Sequence, residues 1–448
     1  MPALFLAQSI LTPQDLISDP SAGVAILVGD DRRIVAIGPA DELQTWQPNA
    51  KVYDYRPLLL VPGVINAHNH SFQSMMRGIA DDRPFAEWRD AFYRVSVSFT
   101  PEDIYDGALL AFGEMLLRGI TTVCDFFYLH HGGNDHDRAV LRAANDLGIR
   151  CTLARSMIDS TRPPEAYRET IEQAVANTRT LAKELQGNPL LRVLPAPHSP
   201  HNCSPEMVRA GAALAEELDT PWHTHVAEGY YEVELTQRLY GLPPLDWIAS
   251  LGVLSSRTNI VHGVHLSPKE IDRLGAAGGG LLYCPSSNMF LGDGITALPR
   301  YVEAGARVAL GSDGGSSNNR VSVFEEMRMA ALLQKVAAHD GSVLSAEQVF
   351  VMGTRGGAAA LGIDAGALEV GRLADFIALD PCDLSLQPPT NLRKHLVYAM
   401  ESSAIRHVVV GAVEVVHDRQ HTVGAAALQN LPDRLAAMVA LRRANGVI

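Results

Sequence analysis

Short apolar runs alternate with amphipathic stretches through the middle of the chain, and the alternation predicts eight strands separated by helices. The runs end at His70, Asp125, Met157, His198, His225, His262, Pro285 and Asp313. Their cores are β-branched or aliphatic, as in Ile120-Thr121-Thr122-Val123-Cys124 and Val308-Ala309-Leu310. Strands that are apolar almost throughout have no face to give to water, which indicates a parallel sheet covered by helices. Pro101-Glu102-Asp103 opens one such helix, running to Leu117, and Ser204-Pro205-Glu206 opens another. Proline suits that first turn, where its missing N–H has no partner to lose. Eight units of this kind favour an α/β chain built as a (β/α)8, or TIM, barrel, whose chemistry lies at the carboxyl ends of its strands.

Both ends of the chain read differently. Residues 3–6, 24–28 and 33–38 form short strand patterns, the last two joined by the hairpin chemistry of Gly29-Asp30-Asp31. Strand patterns return at 374–379 and 407–416. The expectation is one small β-sandwich domain assembled from both termini. The division is then sandwich over 1–61, barrel over 62–368, sandwich again over 369–425, and a C-terminal segment, 426–448. Its amphipathic part, 431–443, is expected to be a helix packed on the outside.

Composition narrows the class. At 448 residues, 47% hydrophobic and 19% charged, the chain can bury one large core and a smaller second one. A net charge of -13 argues against nucleic acid as a partner, since phosphates need clustered Lys and Arg. Five dispersed cysteines without CxxC pairs suggest reduced thiols. No signal-like opening and no apolar run long enough to span a bilayer occur, so a cytoplasmic enzyme of a small-molecule substrate, without a membrane partner, is expected. A homodimer is left open, since no patch marks a surface.

Candidate chemistry starts at His68-Asn69-His70, which follows the run 58–67. Side chains repeat every second residue along a strand, so both imidazoles project to one side and suit a first-row metal. Later strand ends carry Trp222-His223-Thr224-His225-Val226-Ala227-Glu228, Ile260-Val261-His262 and Leu310-Gly311-Ser312-Asp313. A lone histidine on an apolar strand is more often a hydrogen-bonded core residue, but coincidence at four separate strand ends is far rarer. His68, His70, His225 and Asp313 are the proposed ligands of one divalent cation, zinc or alternatively iron(II), with room left for a water. Such a cation lowers the pKa of its water from 15.7 to about 7. His262 would lie beside that water, and Glu228 could shuttle protons to a substrate nitrogen. Spacing alone does not separate His223 from His225, nor His265 from His262.

Taken in order, these motifs resemble the amidohydrolase superfamily over nearly the whole chain. Val61-Pro62-Gly63 before the first histidine pair and Gly371-Arg372-Leu373-Ala374-Asp375-Phe376 add to the likeness. The resemblance implies a barrel with a flanking β-sandwich, and it selects His225 and His262. It implies a single metal, because binuclear branches usually carry a carboxylated lysine on strand four, where this chain has His198. HxxE on strand five is similar to the aminohydrolase branch, which replaces an amino group on a C=N carbon by water. In that family mechanism Asp313 takes a proton from water, His262 holds the attacking oxygen, and Glu228 protonates the adjacent nitrogen so that ammonia leaves.

Two substrate resemblances compete. Residues 284–294, 312–319 and Met76-Arg77-Gly78-Ile79-Ala80-Asp81-Asp82 resemble deaminases of heterocyclic bases and adenosine derivatives, with His198 contacting substrate. Ser96-Val97-Ser98 stands where nucleoside deaminases place a ribose-binding glutamate. Residues 88–94 and 125–131 resemble N-formimino-L-glutamate iminohydrolase, whose substrate-holding positions match Gln73, Arg89 and Tyr128. There His201 replaces a second carboxylate-binding arginine, which favours a smaller or less acidic amidine, guanidine or amino-heterocycle. Arg155, at the end of strand three, is a further substrate-binding candidate. The leading expectation is a metal-dependent deaminase of a small amino-heterocycle or amidine. The alternatives are a formimino- or guanidino-acid iminohydrolase and a triazine hydrolase releasing chloride or alkylamine. The His-rich loop of His130, His131 and His136 is expected to be a mobile polar lid.

Overall fold

The computed structural model describes residues 2–19 and 23–448. All eight expected central strands form, as Val64–Asn69, Ile120–Phe127, Arg150–Met157, Leu191–Pro197, Trp222–Val226, Thr258–His262, Gly280–Tyr283 and Arg307–Leu310. They pair in parallel, in chain order, as two four-stranded sheets. Single backbone hydrogen bonds link the sheets at both seams, from His225 N to His198 O at 2.8 Å and from Asp313 N to His68 O at 3.0 Å. Glycine makes the second seam: a Cβ on Gly311 would lie 2.7 Å from His68 Cβ and 2.8 Å from its carbonyl oxygen.

Helices cover the sheets, and local sequence explains their starts. Thr100 caps Pro101–Leu117 through a reciprocal bond with Asp103, and Ser204 caps Pro205–Glu217. The C-terminal helix, Leu431–Ala444, packs on the outside of Pro101–Leu117 through Arg434–Asp106 and Arg442–Asp103 ion pairs, both at 2.9 Å.

The two ends of the chain supply the remaining sheets. One has four strands, Ile34–Pro39, Val24–Val28, Ala3–Ala7 and Lys51–Asp54; the other has seven and mixes both termini. In the latter, Phe376–Leu379 lies between Leu59–Pro62 and Ile405–Val410. A shared apolar core, including Phe5, Ile26, Tyr55, Leu60, Phe376 and Val409, joins side chains of both sheets. The 407–416 stretch is a hairpin, turned at Gly411 and Ala412 with φ of 53° and 63°. Among the described residues no disulfide forms, and no helix is long and apolar enough to cross a membrane.

Candidate active site

Four of the eight strand ends deliver their titratable side chains to one point. The nitrogens of His68, His70 and His225 lie within 4.8 Å of one another, as do the ligand atoms of Glu228, His262 and Asp313. Asp313 Oδ1 joins the two groups, 3.5 Å from His68 Nε2 and 3.2 Å from His70 Nε2. Its Oδ2 accepts from Ser287 Oγ at 2.5 Å and Ser317 Oγ at 3.1 Å. Of the alternatives that spacing left open, His223 turns away toward Cys124 Sγ, 3.6 Å off, and His265 bonds the Asp293 carbonyl at 2.8 Å.

The backbone pays a conformational cost for this convergence. Ala227, His262 and Asp313 have φ of 53°, 70° and 59°, a region that side chains other than glycine's rarely enter. Each such residue costs on the order of 1–3 kcal/mol and persists only where surrounding packing holds it.

The donor set fits a cation. His70 Nδ1 bonds the Phe126 carbonyl at 2.5 Å and His225 Nδ1 bonds the His198 carbonyl at 3.1 Å. Both rings therefore carry their proton on Nδ1 and present bare Nε2 atoms to the cluster. His225 Nε2 then faces His68 Nε2 at 3.2 Å, while Asp313 Oδ1 faces the same space. Lone pairs crowded in this way repel unless a cation sits among them. Burial pushes His68 down to about 3 and His225 well below the ordinary histidine value, so both are neutral, as ligands must be.

Glu228 behaves in the opposite sense. Burial, then the charges of Asp293, Asp313 and Glu232, push its carboxyl well above the usual range, which favours its protonated form. Its Oε1 lies 3.5 Å from His262 Nε2. Asn288 Nδ2 donates to His262 Nδ1 at 3.1 Å and to Asp293 Oδ2 at 3.2 Å. His262 thus accepts at Nδ1 and keeps its proton on Nε2, toward Glu228.

A cavity of about 520 Å³ opens above the cluster. Gln73, Arg89, Tyr128, His198 and His201 all line it, together with His70, His225, Glu228, His262 and Asp313. Gln73 is held from both sides, donating to Tyr128 OH at 2.7 Å and accepting from Ser316 Oγ at 2.8 Å. Gly314 leaves room for it, since a Cβ there would fall 1.8 Å from Gln73 Oε1. Arg89 is exposed beside Asp90, at 2.8 Å, and His201 lies 3.7 Å from Glu232.

Arg155 is a correction. It does not line the cavity; it is fully buried, bonding Glu169 at 2.7 and 2.9 Å and lying 3.4 Å from Asp137. Two carboxylates neutralise it, and no polar group is left over for a substrate. The His-rich loop is a second correction. His130 is buried between Asp137 Oδ2 and the Ser156 carbonyl, at 2.9 and 3.0 Å, and buried His136 bonds the Phe99 carbonyl at 3.0 Å. His130 and His136 are therefore tied into the fold, while His131 between them is exposed.

Two helices complete the cavity with residues the sequence reading did not single out as a wall. Phe85–Ser96 contributes Phe85, Trp88, Asp90, Phe92 and Tyr93; Tyr230–Tyr240 contributes Tyr231, Leu235 and Arg238. Phe85 stacks on Tyr231 at 5.3 Å, which joins the two helices over the site. The signal was present as helical spacing, 85, 88 and 92 on one helix and 231, 235 and 238 on the other, but it is the spacing of any buried stripe.

Comparison with known proteins agrees with this geometry. The amidohydrolase family matches residues 59–415. A 5-methylthioadenosine/S-adenosylhomocysteine deaminase of Syntrophobacter fumaroxidans is 36% identical over 413 residues, covering 92% of this chain and 91% of that protein. A 5'-deoxyadenosine deaminase of Methanothermobacter thermautotrophicus is 36% identical over 386 residues, covering 85% and 86%. Among solved structures, a zinc-bound adenosine deaminase from Xanthomonas campestris superposes with a TM-score of 0.87 at 28% identity, covering 97% of this chain and 98% of the other. A zinc complex of atrazine chlorohydrolase from Arthrobacter aurescens gives 0.88 at 26% identity, covering 98% and 100%. The family and these neighbours imply a TIM-barrel fold, and the relatives support hydrolysis of carbon–nitrogen bonds other than peptide bonds. Strand-end cluster, family match and relatives agree: this chain belongs to the amidohydrolase family.

Proposed function

We propose that the protein is a metal-dependent hydrolytic deaminase that replaces the amino group on a C=N carbon of an amino-heterocycle by water, releasing ammonia. The observation that carries this reading is the meeting, in one cavity, of three buried histidines and Asp313 with Glu228, whose burial favours the protonated carboxyl. Attack on a C=N carbon leaves electrons on the ring nitrogen, which needs an acid poised beside it. Glu228 supplies that proton.

His68, His70, His225 and Asp313 would hold the cation, with zinc proposed and iron(II) the alternative. A divalent cation supplies a Lewis acid and an ionised water near neutral pH. Asp313, fixed by Ser287 and Ser317, takes a proton from the attacking water. His262, its Nδ1 occupied by Asn288, offers its Nε2–H to the attacking oxygen. The supporting architecture is, in this reading, a closed barrel over 62–368 flanked by a sandwich from 1–61 and 369–425.

The aromatic wall of Trp88, Phe92, Tyr93 and Tyr231 suits a planar ring, and the cavity volume suits a ligand of nucleoside size. Purine nucleosides related to the relatives' substrates come first. Ser96 lies outside the wall, bonded to Phe92 O at 2.6 Å, whereas Asp90 of the same helix reaches the cavity and offers a carboxylate to sugar hydroxyls. The test is ammonia release across 5'-substituted adenosines, aminopyrimidines, pterins, triazines and formimino-acids. Release from an aminopurine nucleoside supports the reading; chloride or alkylamine release without ammonia overturns it.

A further inference from the structure

The C-terminal hairpin carries a second cluster of metal-ligating side chains, remote from the barrel mouth in sequence and in sheet. His407 lies on Ile405–Val410, and Glu414 and His417 lie on Val413–His417. Residues three apart on a regular strand point to opposite faces. Here a bulge intervenes, since Val409 pairs with Glu414 but Val408 pairs with Val416. The extra residue re-aims the strand and brings all three side chains together.

His407 Nδ1 and His417 Nδ1 lie 3.2 and 3.0 Å from Glu414 Oε1, and all three ligand atoms fall within 4.8 Å of one another. Ligand atoms around a tetrahedral zinc, with bonds of about 2.0–2.1 Å, sit about 3.3–3.4 Å apart. The imidazole centroids are 4.7 Å apart, the separation also found for His68 and His70. The Asp418 N–H donates to His407 Nδ1 at 3.2 Å, so that nitrogen is an acceptor facing a carboxylate oxygen with no proton of its own to offer. Tyr55 holds two of the three groups: its hydroxyl donates to Glu414 Oε1 at 2.7 Å, and its ring stacks on His407 at 4.6 Å and 10°. A carboxylate oriented by an outer hydrogen bond is a recurring support for metal ligands.

We propose that His407, Glu414 and His417 form a second site for a first-row divalent cation, zinc above all, with water completing the coordination. His407 and Glu414 make its half-buried base, and exposed His417 closes it from solvent. On loading, the Asp418 N–H at the rim turns to water. The bound ion ties the two strands of the hairpin to each other, while Tyr55, just before the Leu59–Pro62 strand of the same sheet, braces Glu414 and His407 from outside. This proposal is independent of the deaminase reading.

The test is equilibrium dialysis of the metal-loaded enzyme against micromolar zinc at neutral pH, counting zinc per chain in wild type, His417→Ala and His407→Gln. Wild type is expected to hold one more equivalent than either variant, with unchanged kcat in all three, and added zinc should raise Tm in wild type alone. An equal count in all three overturns the proposal. A lower count accompanied by matching loss of activity also overturns it, because the missing ion would then be the barrel's.

Discussion

The floor and the wall of the cavity differ in how they are held. The floor, His68, His70, His225, His262 and Asp313, stands on strand ends; all five are buried, and all but His68 are bonded from behind by carbonyls, serines or Asn288. The wall stands on two helices joined by aromatic contacts, with Tyr231 and Arg89 open to solvent. A floor this constrained can aim atoms for chemistry, while a wall held by ring stacking can change its side chains without disturbing that aim. Floor substitutions should therefore lower kcat, and wall substitutions should chiefly raise KM.

The largest effect belongs to Asp313→Asn, which removes both a ligand and the proton acceptor; steady-state kcat should fall by about 10³-fold or more. Glu228→Gln should keep the metal, read by metal analysis, yet lose about 10²–10⁴-fold in kcat. The wild-type acid works protonated, so kcat/KM should decline as pH rises through its raised pKa, and Glu228→Gln should lack that limb. Near-normal turnover in this variant would remove Glu228 from the chemistry the floor performs.

Arg155→Met sharpens the comparison from outside both regions. It strands the buried carboxylates Glu169 and Asp137, so denaturant titration should show a loss of about 3–5 kcal/mol while KM for the folded enzyme stays put. Arg89→Met, on the wall, should raise KM about tenfold with little change in kcat if an anionic or carbonyl group docks there. Unchanged kinetics would leave Arg89 as the partner of Asp90 alone. A pH effect on stability, with no change expected in kinetics, concerns Glu326, whose carboxyl burial pushes up to about 8 from 4.5. Between those values the unfolded chain releases a proton that the folded chain keeps, so stability falls as pH rises across that window. Glu326→Gln should flatten the slope in denaturation measured on either side of it.

Strand ends were readable because a parallel strand must be apolar nearly throughout, so a histidine or aspartate closing such a run stands out. Every one of the eight runs became a strand, and His68, His70, His225, His262 and Asp313 meet at the strand ends, where position left His223 and His265 open as rivals and the family resemblance selected His225 and His262. Arg155 shows the limit of that reasoning. It closes a strand as they do, but its partner Glu169 lies 14 residues on, beyond the strand, and only folding brings them together. The same holds for the His130 loop, whose anchors are backbone carbonyls and a helix aspartate. The wall was hidden for another reason: aromatic residues at helical spacing look alike whether they face a core or a cavity. The hairpin cluster was hidden by its bulge, which no side-chain period announces.

The most direct measurement is turnover of a purine nucleoside in oxygen-18 water by metal-loaded enzyme, by enzyme stripped with chelator, and by Asp313→Asn. Ammonia should appear one-for-one with product carrying solvent oxygen at the former amino carbon, and both controls should be silent. Ammonia release that survives chelation and the loss of Asp313 would contradict a catalytic centre built on these strand ends.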